Sequence, residues 1–277
     1  MSASIHVPLA RRLAAEALGT GLLVTVVIGS GIAAARLSPG DVGLQLLENA
    51  LTTAAGLAVI ILLVGPVSGA HINPVISLAD WWIGRRSGSG LRLAHLGPYA
   101  AAQIAGGILG AILANLMYDL PAITVSTTTR DGWNLLLSEI IATAGLVALV
   151  FALARSGRTV LVGPTVGAYI GAAYWFTAST SFANPAVTIG RMFSDTFAGI
   201  APNSVPPFIA AQLVGATVGV LVVLFLYPMA ALEVDVLAGP SDSSSRTAAS
   251  ARRREHTDRG TARSDMRSSG PESRYEL

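Results

Sequence analysis

Two short stretches, Asn73-Pro74-Val75 and Asn184-Pro185-Ala186, carry the strongest structural signal in this chain. Each follows a long apolar stretch, and each opens a short apolar segment of its own. Asparagine is a favoured N-cap residue and proline suits the first helical position, so each tripeptide marks the start of a helix. In a membrane protein, two such starts predict two short helices whose positive ends point at one central site.

The composition indicates a protein that crosses a membrane several times. Of the 277 residues, 52% are hydrophobic and 12% are charged, and the mean hydropathy is +0.60. A membrane-spanning helix needs about 20 predominantly apolar residues. We predict six spans, at roughly 11–36, 44–64, 97–118, 133–154, 159–179 and 206–230. The first apolar stretch is too long for a cleavable signal peptide, and we interpret it as the first span.

The residues that support most enzyme chemistry are missing or scattered. Cysteine is absent, which excludes disulfides and thiolate ligands. The sequence shows no metal-binding His-Glu-His cluster, no Ser-His-Asp arrangement and no nucleotide-binding glycine loop. The pI near 9.3 could indicate an anionic partner, but the net charge is only +2. We therefore predict no catalytic residue, no metal, no cofactor and no nucleic-acid partner.

The chain contains an internal repeat. Three pairs of positions match in the same order: Glu16 with Glu139 at an offset of 123, the two Asn-Pro motifs at 111, and Gln103 with Gln212 at 109. The halves, about 11–118 and 133–230, each contain three predicted spans. Because three is odd, the two halves must lie in opposite orientations in the membrane.

The segments 73–83 and 184–193 are too short to cross a membrane. Irregular backbone at membrane depth is tolerated only where it is buried in protein or lines a watery cavity. We therefore predict that both segments are re-entrant, enter from opposite sides and meet near the midplane. The predicted fold is an all-α membrane protein with six transmembrane helices and two re-entrant half-helices.

Arginine residues predict the orientation in the membrane. Seven arginines flank the spans on one side (Arg11, Arg12, Arg85, Arg86, Arg92, Arg155 and Arg158), and three lie on the other (Arg36, Arg130 and Arg191). The positive-inside rule therefore places both termini of this multi-pass cell-membrane protein in the cytoplasm.

The sequence around the two motifs resembles the paired signature loops of the aquaporin/glycerol-facilitator (major intrinsic protein) family. The matching stretches are Ser68-Gly69-Ala70-His71-Ile72-Asn73-Pro74-Val75 and Phe182-Ala183-Asn184-Pro185-Ala186-Val187. The resemblance covers about residues 10–230. It implies an aquaporin-like channel domain at 11–231 and a homotetramer with one pore per subunit. A short cytoplasmic segment, 1–10, precedes this domain, and the polar stretch 232–277 is predicted to be a disordered cytoplasmic tail.

Two positions depart from the family pattern. The first motif ends in Val75 instead of alanine, and Val187 follows the second motif where most family members carry arginine. In the family, that arginine lines an outer constriction called the selectivity filter. The resemblance places the other three filter positions at Ala55, Tyr174 and Ser181, with Ala172 as the alternative to Tyr174.

The loss of the filter arginine predicts a wide constriction. Val187 brings neither the charge nor the five donors of arginine. Ala55 and Ser181 are also small, so we expect passage of neutral solutes larger than water, such as glycerol, urea or arsenous acid. A bacterial arsenic-associated branch of the family is similar here, which supports arsenous acid. The alternative is a water-selective pore in which Tyr174 or Arg130 fills the gap. Arg191 is expected to pair with Asp195, four residues on, and not to replace the missing arginine.

The remaining polar residues have predicted roles. The amides of Asn73 and Asn184 can donate to a passing solute, while the two helix ends repel cations. Glu16 and Glu139 are costly in a bilayer, by about 2.5–3.5 kcal/mol if charged and exposed. The resemblance implies that they accept hydrogen bonds from the re-entrant loops; a proton relay is the alternative. His71 is expected in the inner vestibule, with pH gating as the alternative.

A passive channel has one main rival, a secondary transporter, which also uses inverted repeats and broken helices. That function requires coupling groups at the midplane, where Asn, Ala and Val dominate. The predicted partners are therefore the lipid bilayer and small neutral solutes.

Overall fold

The computed structural model describes residues 7–85 and 87–228, and the regular elements in these ranges are all helical. The eight α-helices are α1 (Leu9–Leu37), α2 (Val42–Ser68), α3 (Pro74–Gly84), α4 (Leu93–Met117), α5 (Trp133–Arg155), α6 (Val162–Phe176), α7 (Pro185–Arg191) and α8 (Val205–Leu226). Short 3₁₀ turns at Thr159–Leu161 and Pro202–Ser204 lead into α6 and α8. The predicted tail, 232–277, and residues 1–6 of the predicted N-terminal segment lie outside the described residues.

Six helical segments match the six predicted spans. Five helices in the described ranges are long and apolar enough to cross a membrane. The sixth span is shorter than predicted: α6 has 15 residues, and the backbone becomes extended at Thr177. Together with the 3₁₀ turn before it, α6 rises about 28 Å, close to the ~30 Å of a hydrocarbon core. The prediction of six spans and two half-helices is confirmed.

The inverted repeat is visible in how the helices pack. A Cβ atom on Gly106 or Gly110 of α4 would lie 2.1 or 2.2 Å from a backbone oxygen of α1. Gly215 and Gly219 of α8 make the same approach to α5, at 2.5 and 2.6 Å. Each glycine of α8 stands 109 residues after its counterpart in α4, which is the offset seen in the sequence. Any side chain there would force the helices apart, as expected for small-residue contacts between membrane helices.

Large apolar side chains cover the outside of the bundle. Val59 of α2, Leu109 of α4 and Phe225 of α8 are 63%, 64% and 84% exposed. Meanwhile Glu16, Gln103, Glu139 and Gln212 are completely buried. This distribution, apolar outside and polar inside, is that of an integral membrane protein whose outer surface contacts lipid.

Candidate functional site

The two half-helices begin as the tripeptides predicted. Asn73 is the N-cap of α3, and its side chain accepts a hydrogen bond from the backbone N–H of Val75 at 3.0 Å. Asn184 caps α7 in the same way, accepting from Ala186 and Val187 at 3.0 and 3.3 Å. Each cap occupies the oxygen of the asparagine amide, so the NH₂ group remains free to donate.

These NH₂ groups join the two half-helix tips. Asn73 Nδ2 donates to the backbone oxygen of Ala183, and Asn184 Nδ2 donates to that of Ile72, both at 2.8 Å. Each asparagine thus holds the loop that precedes the opposite half-helix. One of the two N–H bonds of each amide is used in this contact, and the other is available to a molecule in the adjacent cavity.

Buried carboxylates support both loops, as the resemblance implied. Glu16 accepts hydrogen bonds from the backbone N–H groups of His71 and Ile72 at 3.0 and 2.6 Å. Glu139 accepts from those of Phe182 and Ala183, both at 2.9 Å. The loops need this support because Ile72 and Ala183 have φ values of 41° and 46°, a left-handed conformation that is strained for residues other than glycine.

A glutamine and a hydroxyl complete each support. Gln103 Nε2 donates to Glu16 at 2.7 Å and to Ser77 Oγ at 3.1 Å. In the second half Gln212 Nε2 donates to Glu139 at 2.7 Å and to Thr188 Oγ1 at 3.0 Å. Both glutamines mark the internal repeat in the sequence, whereas Ser77 and Thr188 were not predicted to take part. Each hydroxyl lies four residues after a capping asparagine, and that shared position is the signal that would have found them.

A single cavity of about 620 Å³ runs past both half-helix tips. At the end near α3 it is lined by His71, Asp80 and Thr159; in the middle by Asn73 and Asn184; at the end near α7 by Tyr174, Ser181, Val187 and Arg191. We call this last end the α7-side mouth. Apolar residues such as Leu57, Leu146 and Ile170 line the same cavity. The cavity can therefore offer both hydrogen bonds and apolar surface to a solute.

Three of the four predicted filter residues lie together in this cavity. Tyr174, Ser181 and Val187 all line it and are buried. Ala172, the alternative to Tyr174, is exposed and lies outside the cavity lining. The hydroxyl of Tyr174 lies 3.3 Å from Thr53 Oγ1, which fixes the tyrosine ring against α2.

The prediction for Ala55 is wrong. Ala55 is exposed on the outer surface of α2, whereas Thr53 and Leu57 line the cavity. Thr53 and Leu57 are four residues apart and share one face of the helix, while Ala55 is rotated by about 200° from Thr53. Thr53, two residues before the predicted position, is the residue of α2 whose side chain contacts the hydroxyl of Tyr174.

His71 lines the cavity at the end near α3. Its Nδ1 atom is 3.1 Å from Ser77 Oγ, and its Nε2 atom is 3.7 Å from Asp80 Oδ2. The ring also packs against Tyr99, with 5.4 Å between the ring centroids. The imidazole therefore lies between the hydroxyl of Ser77 and the carboxylate of Asp80.

Arg191 does not form the predicted pair with Asp195. Helix α7 ends at Arg191, so the i,i+4 relation does not apply to these two residues. Asp195 accepts hydrogen bonds from Thr127 instead, at 2.9 Å from its N–H group and 3.1 Å from its hydroxyl. Arg191 lines the α7-side mouth, with its Cζ atom 3.5 Å from the centroid of the Phe182 ring.

Arg130, the other candidate for filling the filter, approaches the same ring from the connecting loop. Its Cζ atom is 5.1 Å from the Phe182 centroid, and its Nε atom donates to the backbone oxygen of Gly199 at 2.8 Å. Burial lowers the pKa of Arg130 from its ordinary value. Arg130 is outside the set of residues that line the cavity.

Known proteins share both the sequence and the fold. The profile of the Major intrinsic protein family matches residues 3–181. The aquaglyceroporin AqpS of Rhizobium meliloti is 50% identical over 208 residues, which are 75% of this chain and 86% of that protein. The propanediol uptake facilitator PduF of Citrobacter freundii is 28% identical over 250 residues, covering 76% of this chain and 90% of its own length.

The fold is also similar to the X-ray structure of the aquaglyceroporin from Plasmodium falciparum. The TM-score is 0.62 and the sequence identity is 21%, and the match covers 83% of this chain and 100% of that chain. The family profile and the AqpS relative show the family, and the likeness to the solved structure shows the fold. This chain belongs to the major intrinsic protein family.

Proposed function

We propose that the protein is a passive channel for small uncharged solutes larger than water, with glycerol and urea as typical cargo and arsenous acid as a further one. One observation carries the proposal: a single cavity passes both capping asparagines, and Val187 stands beside the second where most family members have arginine. The names of the relatives, an aquaglyceroporin and a propanediol facilitator, support a polyol or a similar solute.

The walls of the cavity suit such solutes. Its polar groups include the amides of Asn73 and Asn184 and the hydroxyl of Ser181, which has no hydrogen-bond partner among the described residues. Its apolar lining includes Leu23, Val27 and Val150. A polyol carries both hydroxyl groups and C–H surface, so contacts with the polar and the apolar residues of the cavity can replace its hydration water.

The competing function is a water-selective pore that Tyr174 narrows. Tyr174 lines the α7-side mouth, and its contact with Thr53 holds the ring in place. The two functions differ in the ratio of glycerol flux to water flux, because a narrow pore excludes glycerol long before it excludes water.

Flux into proteoliposomes tests the proposal. Water, glycerol, urea and arsenous acid would be compared for the parent protein and for Val187→Arg. We expect the substitution to reduce the flux of the three larger solutes by about tenfold or more, a barrier increase of about 1.4 kcal/mol, and to reduce water flux less. Val187→Leu is the matched control, since it adds bulk without charge. Equal effects on all four solutes, or none, would remove Val187 as a filter residue.

We also propose that the protein is a homotetramer in the cell membrane with both termini in the cytoplasm. The exposed apolar side chains on α2, α4 and α8 support a surface shared between lipid and neighbouring subunits. Chemical cross-linking in native membranes tests the subunit number, and protease protection of a terminal tag tests the orientation. Cross-linking that yields monomers only, or a terminal tag that added protease removes from intact cells, would contradict these proposals.

A further inference from the structure

Arg191 is a buried cation that the features described so far do not explain. It is only 2% exposed, and its Nε atom donates to the backbone oxygen of Ala198. In the described ranges the one ion pair within 4.0 Å joins His71 to Asp80, so no carboxylate there contacts the guanidinium directly. An unpaired cation at membrane depth is costly, and such residues are a mark of function.

Helix geometry places Arg191 beside the proposed filter. Val187 and Arg191 are four residues apart in α7, so they share one face of the half-helix, about 6 Å apart along its axis. Both line the same cavity. Arg191 is therefore one helical turn nearer the α7-side mouth than the position at which the family carries its arginine.

The other half of the molecule shows that this position faces the pore. Arg191 stands seven residues after Asn184, and Asp80 stands seven residues after Asn73. Asp80 also lines the cavity, at its opposite end. Since the two half-helices are built alike, the seventh residue after each asparagine projects into the lumen in both. The charge at this position is negative in one half and positive in the other.

The groups around Arg191 leave it free to interact with a solute. Its guanidinium carries five N–H donors, and the bond to Ala198 uses one. Ser181, in the same mouth, has a buried hydroxyl that lacks a hydrogen-bond partner among the described residues. The ring of Phe182 packs against the guanidinium at 3.5 Å and holds it in place.

We propose that Arg191 is the cation-excluding residue of this pore, displaced by one helical turn from the family position now occupied by Val187. The filter is thereby divided: Val187, Tyr174 and Ser181 set the width, while Arg191 sets the charge. A wide constriction and a barrier to cations can then exist together, because the charge no longer occupies the narrowest part. This inference rests on the proposed channel function.

The test measures glycerol flux and cation leak in the same proteoliposomes. We expect Arg191→Gln to raise potassium and proton permeability, relative to the glycerol flux of the same vesicles, by about tenfold or more. Arg191→Lys, which retains the charge, should remain tight to cations. Adding Val187→Arg to Arg191→Gln returns a charge to the family position and should restore the barrier.

Arg130→Gln is the matched control, because Arg130 packs on the same Phe182 ring but lies outside the cavity lining. A leak in this variant equal to that of Arg191→Gln would assign the effect to the packing of Phe182 and overturn the proposal. So would an Arg191→Gln channel that passes glycerol and stays tight to cations. Arg191→Met, which keeps an apolar stem on the ring, gives the same readout if the glutamine variant does not incorporate. A parent protein that passes no glycerol or urea would instead refute the proposed function.

Discussion

Replacing Glu16 by glutamine is the most direct test of how the first re-entrant loop is held. The carboxylate accepts three hydrogen bonds, from the N–H groups of His71 and Ile72 at 3.0 and 2.6 Å and from Gln103 Nε2 at 2.7 Å. A glutamine keeps one oxygen and replaces the other by an NH₂ group. If it keeps the bond to His71, its NH₂ group faces the other two donors.

The loss of free energy follows from these bonds. A hydrogen bond to a charged group contributes about 1.5–3 kcal/mol, so losing two removes about 3–6 kcal/mol. Relief of the buried charge offsets part of this loss. We therefore expect a net loss of about 2–3 kcal/mol, or a fall in the apparent melting midpoint of about 4–12 °C at about 2–4 °C per kcal/mol. Glycerol flux should fall with it, since Ile72 loses the bond that stabilises its left-handed conformation.

The assay is thermal unfolding in detergent, followed by tryptophan fluorescence, together with flux in proteoliposomes. Glu48→Gln is the matched control: Glu48 is partly exposed, and its bond from Ser38 at 2.8 Å can be kept by an amide oxygen. Glu139→Gln should cost at least as much as Glu16→Gln, because Glu139 also accepts from Ser179 at 2.6 Å. A Glu16→Gln protein that melts within about 2 °C of the parent would refute this reasoning. One that melts normally but loses a proton flux that the parent carries would favour a proton relay.

Two further predictions concern packing and the wall of the cavity. Gly110→Leu should prevent correct assembly, because its Cβ atom would lie 2.2 Å from a backbone oxygen of α1. Gly97→Leu should be tolerated, because a Cβ atom there would meet nothing within 4 Å. Size-exclusion chromatography in detergent distinguishes the two outcomes. Thr53→Leu should reduce glycerol flux several-fold, because Thr53 lines the cavity, while Ala55→Leu on the outer face should not. A larger effect of Ala55→Leu would mean that the register of α2 in the cavity is wrong.

The architecture could be predicted because it follows from features that lie within a single segment or repeat along the chain. Apolar length predicts a span, Asn-Pro predicts a capped helix start, and an odd number of spans per half fixes the inversion. Glu16 and Glu139 were informative because a buried carboxylate in a bilayer requires donors close by. The two re-entrant loops were expected to supply these donors, and in the structure their backbone N–H groups donate to Glu16 and Glu139.

The errors concern which face of a helix meets the pore and where a helix ends. Ala55 was placed by counting along a family pattern, and an error of two residues in that count moves a side chain to the opposite face of α2. The pairing of Arg191 with Asp195 assumed that α7 continues, but its last helical residue is Arg191. The residue after α7 contacts the loop at 118–132: the backbone N–H of Ser126 donates to the backbone oxygen of Met192 at 2.9 Å. Such long-range contacts leave no periodic signal in the sequence.

The two halves of the pore share their support and differ in what they present to a solute. Both use a capping asparagine, a carboxylate, a glutamine and a hydroxyl at equivalent positions, so the midplane is nearly symmetric. The asymmetry begins outside it, where His71 and Asp80 correspond to Phe182 and Arg191 at the same offset of 111 residues. One mouth therefore presents an imidazole beside a carboxylate, and the other a guanidinium on an aromatic ring. Because the supporting bonds do not involve Asp80, Phe182 or Arg191 side chains, charge at either mouth can change while the half-helices stay in place.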